Sequence, residues 1–278
     1  MGIGELTLRA VILGSLLSPA FAAYGADTAT QSIRTEIAAQ VDLTQGLPCP
    51  PQGASTLIGA RLCVSDPARE KQDLQAVLAA RIAASPLERQ EAVSDAASPS
   101  LAAFARPIWG RLALSTTACP FSETAAASGK KALATLLPLT FALFQTARHA
   151  EHRAVGQAKR AFGRTRPFNV HIDGVAIDVP LVPVENLMDS PSYPSRHASF
   201  GMLAAILLSQ MLPERQDILF ERAQAYGWHR VVVGVHFPTD VAAGAQAGKL
   251  IARALLQDAA FRQHLVEART ELRRQLCE

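Results

Sequence analysis

Apolar residues recur at helical spacing through the second half of the chain. Phe200, Leu203, Ala204, Leu207, Leu208 and Met211 stand at i, i+3, i+4, i+7, i+8 and i+11, one face of an α-helix, and Ser195 ahead of them has the side chain of an N-cap. Residues 130 to about 160 carry a longer apolar face with Pro138 inside it, which predicts two helices or one bent at that proline. Pro213 opens a further helix with Leu219, Ala223 and Tyr226 on one side. Gly234 and Pro238 end it, and another helix runs from Pro238 through Asp240 toward Leu256. Nearer the start, Asp66-Pro67 and Ser85-Pro86 each pair a capping side chain with a proline at the first helical position. Leu74, Val77, Leu78, Arg81 and Ile82 form the face of the helix that begins at Pro67.

Between these stretches the pattern changes character. Leu47-Pro48-Cys49-Pro50-Pro51 is unable to be helical and reads as extended chain. Residues 92–100 are small and polar, a loop, and residues 101–122 contain Pro107, Gly110 and Pro120 and yield no assignment. Residues 168–193 form a connection of 26 residues punctuated by Gly174, Pro180, Pro183 and Pro191; loops of that length inside a compact domain usually lie over a site. No alternating run exceeds residues 175–184, so an all-α, single-domain helical bundle is the economical fold.

The first residues change the picture of where the protein works. Arg9, an apolar run over residues 10–17 and Ser18-Pro19-Ala20-Phe21-Ala22 have the layout of a secretory signal peptide with cleavage after Ala22, leaving residues 23–278 as one domain, periplasmic or secreted. The run is far short of the roughly 20 residues that span a bilayer. The later apolar runs, residues 132–144 and 198–212, are bounded by Lys131, Arg148, Arg196 and Arg215 and read as core helices, so no membrane span is expected after signal cleavage. The net charge of +3 is too mild to indicate nucleic acid as a dedicated partner. Four cysteines on an exported chain favour disulfides; Cys49–Cys63 and Cys119–Cys277 are preferred among the three possible pairings, and no Cys/His spacing suggests a metal site.

The candidate chemistry lies in residues 159–240, in three clusters. The first runs from Lys159 through Arg160, Arg164 and Arg166 to Pro167. The second is Pro194-Ser195-Arg196-His197. The third is His229-Arg230 followed by His236-Phe237-Pro238-Thr239-Asp240. A phosphate dianion spreads its charge over several oxygens and is best held by fixed cations and by free N–H groups at a helix start. Lys159, Arg166 and Arg230 supply the cations, and Ser195, Arg196 and His197 form the helix start. Phosphoryl transfer also needs an oriented nucleophile and an acid for the leaving oxygen. His236 suits the first role, with Asp240 one helical turn later fixing its tautomer, and His197 suits the second as general acid and base.

The ordered pattern Lys-x6-Arg-Pro, Pro-Ser-x-His, Arg-x5-His-x3-Asp resembles the signature of the PAP2 phosphatase and vanadium haloperoxidase superfamily. Ser192-Tyr193-Pro194-Ser195 and residues 213–269 look most like the bacterial class A non-specific acid phosphatases. The resemblance covers about residues 130–270. It implies a PAP2-type helical bundle that hydrolyses small phosphomonoesters through a phosphohistidine on His236, without a metal or other cofactor. Inorganic phosphate is then a product and ligand, and a homo-oligomer is possible. The superfamily also admits a vanadate-dependent haloperoxidase or a lipid phosphate phosphatase; a secreted helical protein that keeps the pocket without turnover lies outside it.

Two positions depart from the family pattern. Arg196 stands where glycine is usual, and His229 where serine usually precedes the arginine; His229 is expected to modulate the pH profile or phosphate affinity. Taken singly, each residue has a duller role. Arg153, Lys159, Arg160, Arg164 and Arg166 make a solvated basic face, Ser195 a plain cap and His236 a core histidine. His149, Glu151 and His152, together with His171 and His264, read as surface residues.

Overall fold

The computed structural model describes residues 41–51, 56–58, 61–112, 130–177 and 180–276. The leader and Cys119 and Cys277 lie outside these residues, so the expected cleavage and the second disulfide have no structural counterpart here. Cys49 and Cys63 are joined by a disulfide, with Cα atoms 5.3 Å apart.

The described chain is mainly helical, with almost no strand. Short helices α1 (Leu43–Gly46), α4 (Leu101–Ala105), α5 (Trp109–Leu112) and α6 (Lys130–Leu136) surround the longer α2 (Pro67–Ala83), α3 (Pro86–Ser94), α7 (Pro138–Phe162), α8 (Arg196–Met211), α9 (Gln216–Val232), α10 (Pro238–Gln257) and α11 (Ala259–Gln275). The one sheet among the described residues is an antiparallel hairpin, β1 (Thr56–Ile58) with β2 (Arg61–Cys63), carrying half of the disulfide. Pro138 separates α6 from α7 and occupies the first turn of α7. The N–H groups orphaned there are capped from α11: the Glu271 carboxylate accepts from Leu139 N–H at 3.0 Å and Thr140 N–H at 2.8 Å.

Helix α8 is the axis of the bundle. Its predicted apolar face is fully buried, and Gly201, Ala204 and Ala205 leave little room between it and its neighbours α9 and α10. Gly244 and Gly248 on α10 face its backbone so closely that a methyl at Gly244 would land on the Ser195 carbonyl, and one at Gly248 on the Ser199 carbonyl. Glycine is needed there for the approach of two backbones, which fixes the start of α8 against the start of α10.

Several expectations shift by a turn. Helix α3 runs on to Ser94, and Pro213 opens a 3₁₀ turn (Pro213–Arg215) ahead of α9. Residues 101–105 and 109–112, which gave no sequence assignment, are helical. Ile82 is 80% exposed because it lies about 80° round the helix from Leu74, past the edge of the stripe.

Candidate active site

The three clusters meet because each sits at the end of a helix. Gly163 terminates α7 in the left-handed conformation (φ 63°), its N–H donating to the Lys159 carbonyl at 2.9 Å, so Lys159 occupies the last turn. Arg166 precedes Pro167 and is extended (φ −78°, ψ 154°). Beyond α9, Gly234 (φ 82°) turns the chain back, and the N–H groups of Val235 and His236 both donate to the Arg230 carbonyl. Lys159, Arg166, Arg196, His197, Arg230 and His236 thereby line one cavity of about 510 Å³, whose rim includes Ser98 and Pro99 and residues of the 182–190 stretch of the long connection.

His236 is held from both ring nitrogens. Its Nδ1 lies 3.2 Å from Asp240 Oδ2, and Arg166 Nη1 lies 3.3 Å from its Nε2. A carboxylate only accepts and a guanidinium only donates, which assigns the proton to Nδ1 and a lone pair to Nε2 on the cavity side. Burial, with Arg166, Lys159, Arg230 and Arg164 nearby, holds the imidazole well below the usual histidine pKa, and hence neutral. Asp240 is itself fixed: Oδ2 accepts the Phe237 N–H at 2.9 Å and Oδ1 the guanidinium of Arg164 at 2.7 Å.

Arg164 is therefore no surface arginine. Its side chain is fully buried between Asp240 and Asp73 of α2 (2.7 and 2.8 Å), and its guanidinium lies 3.9 Å from the centre of the Phe237 ring. Burial opposes its charge, but Asp240 and Asp73 outweigh that and raise its pKa. Thr239 joins the network, accepting from Arg164 at 2.7 Å and donating to Asp73.

The other cations are buried with far less compensation. Lys159 donates to the carbonyls of Pro191 and Ser192. Arg166 donates to the Ser190 carbonyl at 2.7 Å and the Val235 carbonyl at 2.9 Å. Arg230 Nε and Nη1 are buried without any partner. Burial pushes Lys159 well down, aided by Arg166; it lowers Arg166 and Arg230 to about 10, with Arg230 and Arg196 adding to the effect on Arg166. Cations crowded together out of water make a site that gains from an entering anion.

His197 completes the wall. Its Nε2 lies 2.8 Å from the Ala97 carbonyl, which must accept, leaving Nδ1 as the nitrogen able to exchange a proton with the cavity. Burial and the charge of Arg230 keep it well below the ordinary histidine value. Ser195 stands apart: its Oγ caps α8 on the Ala198 N–H at 3.5 Å, and it does not line the cavity. The N–H groups of Arg196 and His197 remain free of intrahelical acceptors, as first-turn donors are.

His229 faces a different cavity, of about 290 Å³. Its Nδ1 lies 2.7 Å from Asp95, which also takes a bidentate pair from Arg222 at 2.7 Å each. Burial raises the Asp95 pKa, but the bonds from His229 and Arg222 reverse that and lower it. The cluster anchors the end of α3 and so the following turn, which carries Ala97 to His197. His229→Ser is thus expected to cost about 1.5–3 kcal/mol in thermal or denaturant unfolding, the worth of a hydrogen bond to a charged group. The phosphate inhibition constant should stay within about twofold, because no residue lining the cavity of His236 is changed.

Sequence reasoning missed Arg164, Asp73, Asp95 and Glu151. Glu151 was expected at the surface but is 0% exposed. Helical phase was the available signal, since Glu151 stands one turn from Val155 and two from Lys159 on the buried face, whereas His149 and His152 fall on the exposed one. Asp73 carries the same signal, one turn from Val77 on the buried face of α2, whereas Arg164, beyond the end of α7, carries none.

Comparison with known proteins agrees with this architecture. Residues 133–263 match the model of the PAP2 superfamily. An acid phosphatase of Zymomonas mobilis is 33% identical over 153 residues, 54% of this chain and 56% of that protein. A non-specific acid phosphatase of Salmonella typhimurium is 36% identical over 120 residues, 43% of this chain and 46% of that protein. The chain spans about half the length of the curated relatives it matches. Among solved structures, a bacterial vanadium-dependent iodoperoxidase superposes with a TM-score of 0.50 at 16% identity, covering 77% of this chain and 53% of that one, a likeness of fold. With its all-α bundle and its three helix-end clusters, the chain is similar to the PAP2 superfamily over residues 133–263.

Proposed function

We propose that the protein is an exported acid phosphatase that hydrolyses phosphomonoesters through a phosphohistidine on His236, without a metal. The observation that carries this proposal is the buried group of Lys159, Arg166 and Arg230 around the unprotonated Nε2 of a neutral histidine, with Arg230 Nε and Nη1 unpartnered. An anion with several oxygens satisfies those donors, and Nε2 stands where phosphorus would be held. The acid phosphatases that match the chain support the choice of reaction.

In the first step Nε2 of His236 attacks phosphorus and the ester P–O bond breaks. The proton on Nδ1 of His197 passes to the departing alkoxide, while Asp240 stabilises the charge that develops on His236. In the second, water gives a proton to His197 and its oxygen attacks phosphorus; the N–P bond breaks, releasing phosphate and restoring neutral His236. Lys159, Arg166, Arg230 and the N–H groups of Arg196 and His197 hold the equatorial oxygens throughout. The three cations neutralise the charge that a metal would otherwise carry.

Residues 23–278 act as one domain in this proposal, and the leader is removed after Ala22, which amino-terminal sequencing of the exported protein tests. Among the described residues no helix is long and apolar enough to cross a membrane.

The pH dependence follows from the depressed histidines. His236 must be neutral to attack, and its lowered pKa keeps it so below the usual histidine range. His197 must be protonated, and its lowered pKa places that form on the acid side. Expected is a kcat/KM that stays high in mildly acid solution and falls as pH rises toward neutrality. The test is hydrolysis of several phosphomonoesters at pH 4 to 7 by chelator-treated protein. Turnover that requires added metal, or peroxide-dependent bromide oxidation with vanadate in place of ester cleavage, contradicts the proposal.

A further inference from the structure

Glu151 is the buried charge that this mechanism does not use. The carboxyl is buried with the Ser199 hydroxyl as a neighbour able to donate to it, and the Tyr226 hydroxyl and Arg196 Nε are buried without a partner. The groups that bear on it come from three helices: Arg148 and Lys159 along α7, Arg196 and Ser199 from α8, and Tyr226 from α9. Burial lifts the carboxyl to about 7 against the pull of Arg196, Ser199, Arg148 and Lys159. Arg196 joins this cluster to the catalytic cavity, since it lines that cavity and also bears on Lys159 and Arg166. Its guanidinium lies beside α7: a methyl built on Gly156 would stand 3.9 Å from Nη2, an ordinary van der Waals contact.

We propose that Glu151 and Arg196 form a proton-operated pair: with Glu151 protonated, Arg196 serves as a fourth cation for the bound phosphoryl group, and with Glu151 ionised its guanidinium is drawn back toward the carboxylate. This rests on the phosphate-site proposal above and adds a residue to it. An ionised Glu151 and an anion in the cavity compete for one guanidinium, so binding the anion favours protonation of the carboxyl and the carboxyl's ionisation weakens the anion. The arginine in place of the family's usual glycine at position 196 thereby gains a defined task, strongest in acid solution.

The experiment is calorimetric titration of the full chain with inorganic phosphate at pH 5 and pH 8, in buffers of differing ionisation heat. Wild type is compared with Glu151→Gln, Arg196→Gly and the double variant. Comparing proteins at one pH cancels the ionisation of phosphate itself and the protons taken up by His197 and Lys159. At pH 8 Glu151→Gln should bind phosphate about fivefold tighter than wild type, the part of a coupling worth one pKa unit that is expressed one unit above a carboxyl pKa of about 7, and at pH 5 within about twofold. In the Arg196→Gly background the pH 8 advantage should vanish. Equal affinity of wild type and Glu151→Gln at pH 8 overturns the pair. Proton uptake on binding at pH 7 gives a second measurement that does not need the glutamine variant: it should be larger in wild type than in Arg196→Gly, and equal uptake overturns the pair. If no protein binds phosphate even at pH 5, the phosphate-site proposal itself falls.

Discussion

His236→Ala is expected to lower kcat by at least about 10⁴-fold on every phosphomonoester, while phosphate still binds. Removing a covalent nucleophile costs about that much or more, since no second group stands ready to replace it and only binding and charge stabilisation remain. The fold should survive, because Asp240 keeps its bonds from Arg164 and the Phe237 N–H when the imidazole is gone. Phosphate should still inhibit or bind, because Lys159, Arg166 and Arg230 are untouched. Steady-state rates with phosphate titration and a melting curve check all three. A variant within tenfold of wild type would mean that His236 does not bond to phosphorus.

Arg164→Met is the largest expected effect on stability. It leaves Asp73 and Asp240 buried at 5% and 0% side-chain exposure without their shared cation, an arrangement that costs about 3–5 kcal/mol. Against a total of about 5–15 kcal/mol, that should lower the melting temperature by roughly 10 °C. Arg164→Lys separates charge from geometry: it keeps the cation but cannot fork to Asp73, Asp240 and Thr239 together. It should therefore lose about 100-fold in kcat, as Asp240 and His236 lose their alignment, with a smaller fall in melting temperature. Unchanged kcat in Arg164→Lys would show that Asp240 needs no support from behind.

The bundle and its centre were legible because the signals there are local. Ser195 and the apolar spacing after it announce α8, and Pro238 with Asp240 announces α10 one turn after His236. Each cation and histidine of the cavity except Arg196 could be assigned a role from the clusters, whereas the direction of the Arg196 side chain could not. Arg164 was opaque because a basic residue among Lys159, Arg160 and Arg166 looks solvated. Only the left-handed turn at Gly163 sends it inward, and its partner Asp73 lies 91 residues away in sequence. Ser195 and His229 show the opposite case, in which the residue was legible in its cluster and its neighbour was not. The serine oxygen is engaged as a helix cap, and the histidine turns to Asp95 on α3 rather than into the cavity.

The central claim is a covalent bond between His236 and phosphorus. Rapid acid-free quenching of the enzyme during turnover of a labelled aryl phosphate, followed by peptide mapping, tests it most directly. The account predicts a stoichiometric burst of phenol and an acid-labile phosphoryl group on the peptide that contains His236, with neither in His236→Ala. A burst that survives in His236→Ala, or label on a different residue, would contradict it.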